Sequence, residues 1–160
     1  MLYSFPRLFF LIYFVKKELM TQHLIKPKII LLVGMMGVGK TSLGRIIAGK
    51  LRLPFIDSDR EIESMTGFTI SDLFARYGEA EFRKGEERVM ARLLTGKPCV
   101  LSSGGGAFLS EATRLCAKKN AISVWIKAEA DVISGRTQGR THRPLVPAAD
   151  NQRIIERLVQ

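Results

Sequence analysis

A glycine-rich turn followed by a lysine and a hydroxyl residue carries the clearest chemistry in the sequence. In "GMMGVGKT", residues Gly34, Gly39, Lys40 and Thr41 fit the pattern G-x-x-x-x-G-K-[ST], with an apolar run before it and a helical pattern after it. Glycines let the backbone turn tightly with its N–H groups aimed inward, and the following helix N-terminus adds positive potential. The pattern predicts a nucleoside triphosphate site, and the alternative is a glycine turn beside an unrelated lysine.

Each residue type in this turn has an expected task at the triphosphate. Lys40 is long enough to reach the β- and γ-phosphates, and the Thr41 hydroxyl can bind Mg²⁺. The residues expected to bind the nucleotide phosphates are Gly37, Val38, Gly39, Lys40, Thr41 and Ser42. The motif does not say what happens to the γ-phosphate, because GTPases, motors and non-catalytic sensors also use it.

Two acids follow the next apolar run, in "FIDSD". Asp57 and Asp59 occupy alternate positions at the end of a predicted strand, so one can face a metal and the other a second ligand. An aspartate there can orient an attacking hydroxyl or accept its proton. Helix capping is an equally good interpretation, because an acid near a helix start is favoured by the helix dipole.

Arg83 and Glu86 in "EFRKGEERV" lie three positions apart on a predicted helix and are therefore neighbours on its surface. Taken alone, the pair is best interpreted as a surface ion pair. The functional alternative is an arginine that binds a carboxylate substrate and is held in place by the glutamate.

Three consecutive glycines, Gly104, Gly105 and Gly106, follow another apolar strand in "SSGGGA". Such a run costs backbone entropy on folding. A close approach of the backbone to a ligand would explain it, and a plain flexible turn is the alternative.

A basic stretch, "RTQGRTHRPLV", contains Arg136, Arg140 and Arg143. A mobile lid whose arginine closes over the phosphates would suit phosphoryl transfer, because negative charge develops there. A solvated basic loop is the alternative, and His142 is interpreted as an exposed residue of this loop rather than a catalyst.

The elements that must position these residues alternate between strand and helix. Strands are predicted at 28–34, 53–59, 98–106 and 121–128, and helices at 40–51, 58–67, 69–78, 79–94, 109–119, 131–137 and 151–160. Ser58 and Glu61 are predicted to form a capping box, with Gly67 and Gly78 ending their helices. The alternation predicts an α/β fold with a parallel sheet and helices on both faces, whose ligands bind beyond the carboxyl ends of the strands.

Composition and charge limit the classes of function. The chain has 160 residues, 46% hydrophobic and 25% charged, which suggests one globular domain. Its net charge of +10 favours anionic partners. The basic residues are scattered without interleaved aromatics, so nucleic acid is not expected as a partner. Cys99 and Cys116 lie in apolar contexts without metal-ligand spacing, which predicts buried thiols in a reducing, cytoplasmic compartment.

Residues 1–27 are interpreted as a leader outside the fold, with Met20 as a possible start, and residues 28–160 as the domain. The apolar run Leu8 to Val15 is far shorter than the roughly 20 residues that span a bilayer. A signal-peptide core and a weak interfacial anchor are the alternatives, although no small-residue cleavage site follows the run. No stable membrane association is expected.

Taken together, these residues resemble the shikimate kinase family. The matching pieces, in family order, are "GMMGVGKTSLGRIIA", "FIDSDREIESMTGFTISDLFARYGEAEFRKGEE", "VLSSGGGA" and "RTQGRTHRPLV". The resemblance implies a P-loop NTPase-like fold of the nucleoside monophosphate kinase type. It also implies an enzyme that transfers the γ-phosphoryl group of ATP to the 3-hydroxyl of shikimate, on the pathway to chorismate. We expect a monomer, although the sequence does not fix the oligomeric state.

The resemblance also implies roles for individual residues. On the nucleotide side, Thr41 would bind Mg²⁺ directly, Asp57 and Ser102 would bind it through water, Arg143 would close on the phosphates and Arg136 would lie near adenine. On the acceptor side, Asp59 would bind shikimate hydroxyls and act as the base, Arg83 with Glu86 would bind the carboxylate, and the backbone of Gly104, Gly105 and Gly106 would meet the substrate. The catalytic residues would be Asp59, Lys40 and Arg143.

The resemblance stops at the end of the chain. In the family, the helix begun by "NQRIIERLVQ" leads to a second arginine for the shikimate carboxylate, then an edge strand, an adenine loop and a final helix. The final strand and helix are therefore expected to be missing, leaving the strand at 121–128 as an unprotected edge. The alternatives are a related small-molecule kinase such as a gluconate kinase, an inactive nucleotide-binding remnant, and a nucleic-acid-binding P-loop protein suggested by charge alone.

Overall fold

The structure, a computed structural model, describes residues 28–128, which build a parallel β-sheet covered by helices. The strands are β1 (Ile29–Val33), β2 (Phe55–Asp57), β3 (Val100–Ser102) and β4 (Ala121–Trp125). Their order across the sheet is β2-β3-β1-β4, and all pairs are parallel. The predicted α/β fold with a parallel sheet is confirmed.

Helices pack on both faces of the sheet, as the alternation of elements predicts. They are α1 (Lys40–Leu51), α2 (Ser58–Thr66), α3 (Ile70–Leu94) and α4 (Glu111–Asn120), with a 3₁₀ turn at Ala107–Leu109. Successive residues of a strand point to opposite faces. Leu31 packs in a cluster with Met90 of α3 and Ala117 of α4, whereas Leu32 packs with Ala48 of α1 on the other face.

The predicted capping box of Ser58 and Glu61 at the start of α2 is wrong. Strand β2 runs directly into the helix, so Asp57 is the N-cap and its carboxylate accepts a hydrogen bond from the Asp59 N–H at 3.2 Å. Ser58 lies fully buried in the first turn, and its hydroxyl bonds across to the glycine run instead. Gly67 ends the helix in a left-handed conformation, as predicted.

Helix α3 contains the predicted interruption at Gly78. The residue has φ 75° and ψ 169°, so two helical pieces meet there at a kink instead of forming one straight helix. The capping box of this region lies at Thr69 and Asp72, where side chain and backbone bond reciprocally. The piece that follows the kink carries Arg83 and Glu86.

Several predictions concern residues outside the described range. These are the leader at 1–27, the helices at 131–137 and 151–160, the lid, and Arg136, Arg140, His142 and Arg143. Between residues 28 and 128, none of the helices has the length and apolar character needed to cross a membrane.

The two cysteines are free thiols in different surroundings. Cys99 is buried, and burial raises the pKa of its thiol, as expected for an inert core cysteine. Cys116 is only half-buried, so the prediction of two buried thiols is confirmed for Cys99 and wrong for Cys116. The reason is its position on α4, where it reaches only the margin of the core.

Candidate active site

The carboxyl ends of three strands meet at one edge of the sheet. Asp57 at the end of β2 is in register with Ser102 at the end of β3, and Ser102 is also in register with Leu32 of β1. The segments that leave these strands are the glycine turn, the start of α2 and the glycine run. Ligands of open parallel sheets bind at this edge, so the three segments identified from the sequence share one candidate site.

The glycine turn after β1 has a backbone that other residues rarely adopt. Gly34, Gly37 and Gly39 have φ values of 143°, 80° and 96°, in the left-handed region that favours glycine. At Gly34 a Cβ would also collide with the carbonyl oxygen of Ile126. Val38 is 2% exposed, and its packing in the core fixes the glycine turn to the body of the domain.

Lys40 folds over this turn as the first residue of α1. Its Nζ donates hydrogen bonds to the carbonyl oxygens of Gly34 at 2.6 Å and Met35 at 2.7 Å. The side chain is 8% exposed, so a positive charge is held in a sheltered position at the N-terminus of a helix. The charge and the helix dipole together create a positive potential suited to phosphates.

Thr41 links the glycine turn to the acids after β2. Its Oγ1 donates a hydrogen bond to Asp57 Oδ2 at 3.0 Å, and the other Asp57 oxygen caps α2. Ser102 lies beside Asp57 in register and is 2% exposed. Mg²⁺ takes oxygen ligands and is bound through few protein groups when phosphates and water supply the rest. A hydroxyl beside a carboxylate fits that demand, and residues 28–128 contain no cluster of three or more histidine, cysteine or acidic ligands.

Arg83 and Glu86 form a partly buried pair rather than the surface ion pair that was the simplest interpretation. Arg83 Nη1 lies 2.6 Å from Glu86 Oε2, and Glu86 is 4% exposed. Arg83 also lies 3.4 Å from Glu79, and its guanidinium sits 5.8 Å and 5.5 Å from the ring centroids of Phe74 and Phe82. These contacts hold a planar cation that suits a carboxylate ligand.

Glu86 sits in an environment that disfavours its charge. Burial raises the pKa of its carboxyl, Arg83 works in the opposite direction, and the nearby charge of Asp59 raises the pKa further. Asp59 and Glu86, from two different helices, are therefore close enough for their charges to interact.

The three glycines leave room for the charged side chains of this site. A Cβ on Gly104 would lie 2.6 Å from Asp59 Oδ1 and 2.7 Å from Glu86 Oε1. A Cβ on Gly106 would lie 2.6 Å from both terminal nitrogens of Arg83. The glycine run is therefore explained by close approach to its backbone. The groups that approach it, however, include the protein's own charged side chains.

Two residues of the site were not singled out as site residues from the sequence. The Gly104 N–H donates a hydrogen bond to Ser58 Oγ at 2.8 Å, so this amide is bound within the protein. A Cβ on Gly105 would lie 3.3 Å from the backbone nitrogen of Met36, which brings the glycine run against the glycine turn. For Ser58 the available signal was its position between two predicted site acids, and for Met36 it was its position inside the motif "GMMGVGKT".

Most of the predicted site residues therefore gather at one sheet edge. The residues that the fold brings together at this edge are Lys40, Thr41, Asp57, Asp59, Arg83, Glu86, Ser102, Gly104, Gly105 and Gly106. Gly37, Val38 and Gly39 form the turn, and Ser42 is an exposed residue of α1. Arg136 and Arg143 lie outside the described residues. The Thr41–Asp57 hydrogen bond joins the phosphate-binding turn to the start of α2, which carries Asp59.

Comparison with known proteins gives consistent matches. The family model described as Shikimate kinase matches residues 36–160. The chain is similar to the shikimate kinase of Bradyrhizobium diazoefficiens, with 52% identity over 130 residues, and to that of Paramagnetospirillum magneticum, with 51% identity over 131 residues. These alignments cover 81% and 82% of this chain but 63% and 67% of the relatives. The chain thus spans about two thirds of the length of these relatives.

Solved structures show the same likeness. The shikimate kinase of Acinetobacter baumannii, determined in complex with shikimate, superposes with a TM-score of 0.78 at 37% identity, covering 82% of this chain and 74% of that one. The Aquifex aeolicus shikimate kinase superposes with a TM-score of 0.70 at 32% identity, covering 80% and 77%.

Proposed function

The chain belongs to the shikimate kinase family, and we propose that it transfers the γ-phosphoryl group of ATP to the 3-hydroxyl of shikimate. The observation that carries this proposal is the hydrogen bond between Thr41 and Asp57, which joins the triphosphate-binding turn to the start of α2, where Asp59 of the acceptor site lies. The acceptor site has an arginine, held by a buried glutamate, that suits a carboxylate. Shikimate has one carboxylate and three hydroxyls, which matches an arginine beside an acid.

On the nucleotide side, the turn and the start of α1 hold the phosphates of ATP. The proposed ligands are Gly37, Val38, Gly39, Lys40, Thr41 and Ser42. Lys40 would move its ammonium from the loop carbonyls that it now contacts to the phosphates. Thr41 would hold Mg²⁺ directly, and Asp57 and Ser102 through water. The bound ion neutralises phosphate charge as it redistributes during transfer.

On the acceptor side, Asp59 orients the shikimate hydroxyls and takes the proton of the 3-hydroxyl as it attacks. The 3-oxygen forms a bond to the γ-phosphorus, the bond from that phosphorus to the β,γ-bridging oxygen breaks, and ADP leaves. Arg83 binds the carboxylate, and Glu86 fixes the guanidinium at 2.6 Å. The backbone of Gly104, Gly105 and Gly106 lines the acceptor, with the amides of Gly105 and Gly106 as the candidate donors. This assignment excludes the Gly104 amide, which bonds to a serine hydroxyl.

The proposal extends to residues beyond the described range and to the protein's setting. By family resemblance, Arg143 closes on the phosphates and Arg136 lies near adenine, within a kinase domain of residues 28–160. The enzyme is a cytoplasmic monomer that acts on a small molecule, with neither nucleic acid nor a membrane as partner.

The test is ADP release by the 160-residue chain with Mg-ATP, with and without shikimate. We expect release that depends on shikimate and is not supported by gluconate. Asp59→Asn should abolish the dependence, and Arg83→Lys should raise the KM for shikimate while leaving that for ATP unchanged. Release that gluconate supports would instead indicate a related small-molecule kinase. A folded, ATP-binding chain that releases no ADP would refute the proposed catalysis and indicate a nucleotide-binding remnant.

A further inference from the structure

Ser58 is a fully buried polar residue that the proposed reaction does not use. It lies between Asp57 and Asp59 in the first turn of α2 and has 0% exposure. Asp57 already caps the helix, so the serine hydroxyl is not needed for the helix to begin. Its Oγ accepts the N–H of Gly104 at 2.8 Å, a contact between residues 46 positions apart.

The partner of this hydroxyl is the point at which the glycine run meets the charged site. The Cα of Gly104 lies so close to Asp59 and Glu86 that a Cβ there would be 2.6 Å and 2.7 Å from their oxygens. The same run continues to Gly105 beside the glycine turn and to Gly106 beside Arg83. Any displacement of Gly104 would therefore change its separation from both carboxylates and move the next two residues.

Gly104 is itself buried, so removal of the serine hydroxyl would leave its N–H inside the protein without this partner. A buried donor without a partner is costly, and the segment would have to move to satisfy it. An alanine at position 58 would serve the helix equally well but could not accept this bond.

We propose that Ser58 is a positioning residue for the acceptor, because its hydroxyl fixes the glycine run at the distance from Asp59 and Glu86 that shikimate requires. The inference rests on the proposed function. It assigns specificity for the acceptor to a residue that touches no substrate.

The test compares Ser58→Ala with Ser58→Thr and with Ser103→Ala as the matched control. Ser103 is 3% exposed, and its hydroxyl donates to the Leu32 carbonyl oxygen at 3.1 Å, so its loss also removes a buried hydrogen bond. We expect Ser58→Ala to lower kcat/KM for shikimate about tenfold or more, with the KM for ATP unchanged. Ser58→Thr keeps the acceptor oxygen and should restore most of the loss, whereas Ser103→Ala should leave the KM for shikimate unchanged.

Hydrogen exchange of the Gly104 amide in the unliganded chain, followed by NMR, provides a readout that does not depend on activity. Faster exchange in Ser58→Ala, but not in Ser103→Ala, supports the positioning role. A parent chain that shows no turnover with shikimate would refute the proposed function but would leave this exchange result standing. Unchanged exchange in Ser58→Ala, or equal losses for shikimate and ATP, would overturn the inference. A Ser58→Thr variant that protects the Gly104 amide from exchange, but whose kcat/KM for shikimate is as low as that of Ser58→Ala, would also count against the inference.

Discussion

Replacing Gly106 with alanine tests whether the glycine run exists to make room for the carboxylate-binding arginine. Gly106 has φ −103° and ψ −5°, a negative-φ conformation that is open to alanine as well as to glycine. The added Cβ, however, would lie 2.6 Å from both terminal nitrogens of Arg83 and 2.8 Å from its Cζ. The substitution therefore acts on the guanidinium and not on the backbone.

The size of the effect follows from the displacement that is needed. Ordinary van der Waals contact to a Cβ begins at 3.4 Å, so the guanidinium must retreat by roughly 1 Å. A misplacement of about 1 Å can cost about 100-fold in activity, and a hydrogen bond to a charged group contributes about 1.5–3 kcal/mol. We expect the KM for shikimate to rise about 10- to 100-fold. The free energy of unfolding should fall by only about 1 kcal/mol, because the far end of a flexible side chain can move.

The assay is shikimate-dependent ADP release with saturating ATP, combined with urea unfolding of the same samples. Gly85→Ala is the matched control, because Gly85 lies in the same helix as Arg83 and a Cβ there meets nothing within 4 Å. The control should stabilise the protein by about 0.5–1 kcal/mol without changing the KM for shikimate. A Gly106→Ala enzyme with the parental KM for shikimate, or with an equal rise in the KM for ATP, would refute the reasoning.

Substitutions at three further positions test two residues of the site and one helix cap outside it. Burial raises the pKa of Glu86 above 4.5, so its contribution to the free energy of unfolding is greatest below pH 4.5 and is lost as pH rises through the raised pKa. Glu86→Gln removes this contribution. The free energy of unfolding of the variant, measured with urea between pH 4 and 7, should therefore rise relative to that of the parent as the pH increases, while shikimate binds more weakly. A difference in free energy between the two proteins that stays constant with pH would contradict this. Thr41→Val removes the hydroxyl that donates to Asp57 and should lower kcat about 100-fold with a raised Mg²⁺ requirement, whereas Thr41→Ser should keep both near parental values in a Mg²⁺ titration of ADP release. Ser110→Ala removes the N-cap of α4 and should cost about 1 kcal/mol in urea unfolding without changing the KM for shikimate; a changed KM would place the cap in the site.

The phosphate-binding half of the site was predictable because its determinants are local. The glycine turn, Lys40 and Thr41 lie within eight consecutive residues, "GMMGVGKT", and the strand and helix around them follow from short apolar patterns. The acids after β2 were also found, although the sequence left capping and substrate binding equally open. In the structure Asp57 caps α2 and bonds to Thr41 at once, so the two interpretations do not exclude each other for that residue.

The acceptor half was harder to predict because its contacts join distant segments. The pattern from Ser58 to Glu61 fits a capping box, but the hydroxyl binds Gly104, whose position depends on the register of β2 and β3. Arg83 and Glu86 satisfy the spacing of any surface ion pair, and only the packing of α3 on the sheet shows that Glu86 is buried. Spacing predicts which side chains are neighbours, whereas burial depends on the whole fold.

The strand order has a consequence for ligands that would occupy both halves of the site. Because β3 lies between β1 and β2, the carboxyl ends of β1 and β2 stand two strand spacings apart, which is about 10 Å, and the side chains of Thr41 and Asp57 meet between them. Backbone hydrogen bonds set that separation, so substitutions that alter the binding of either ligand leave it nearly unchanged. A single inhibitor that joins a nucleotide mimic to an acceptor mimic should therefore gain most from a stiff linker of matching length, and the same linker should serve variants of the site.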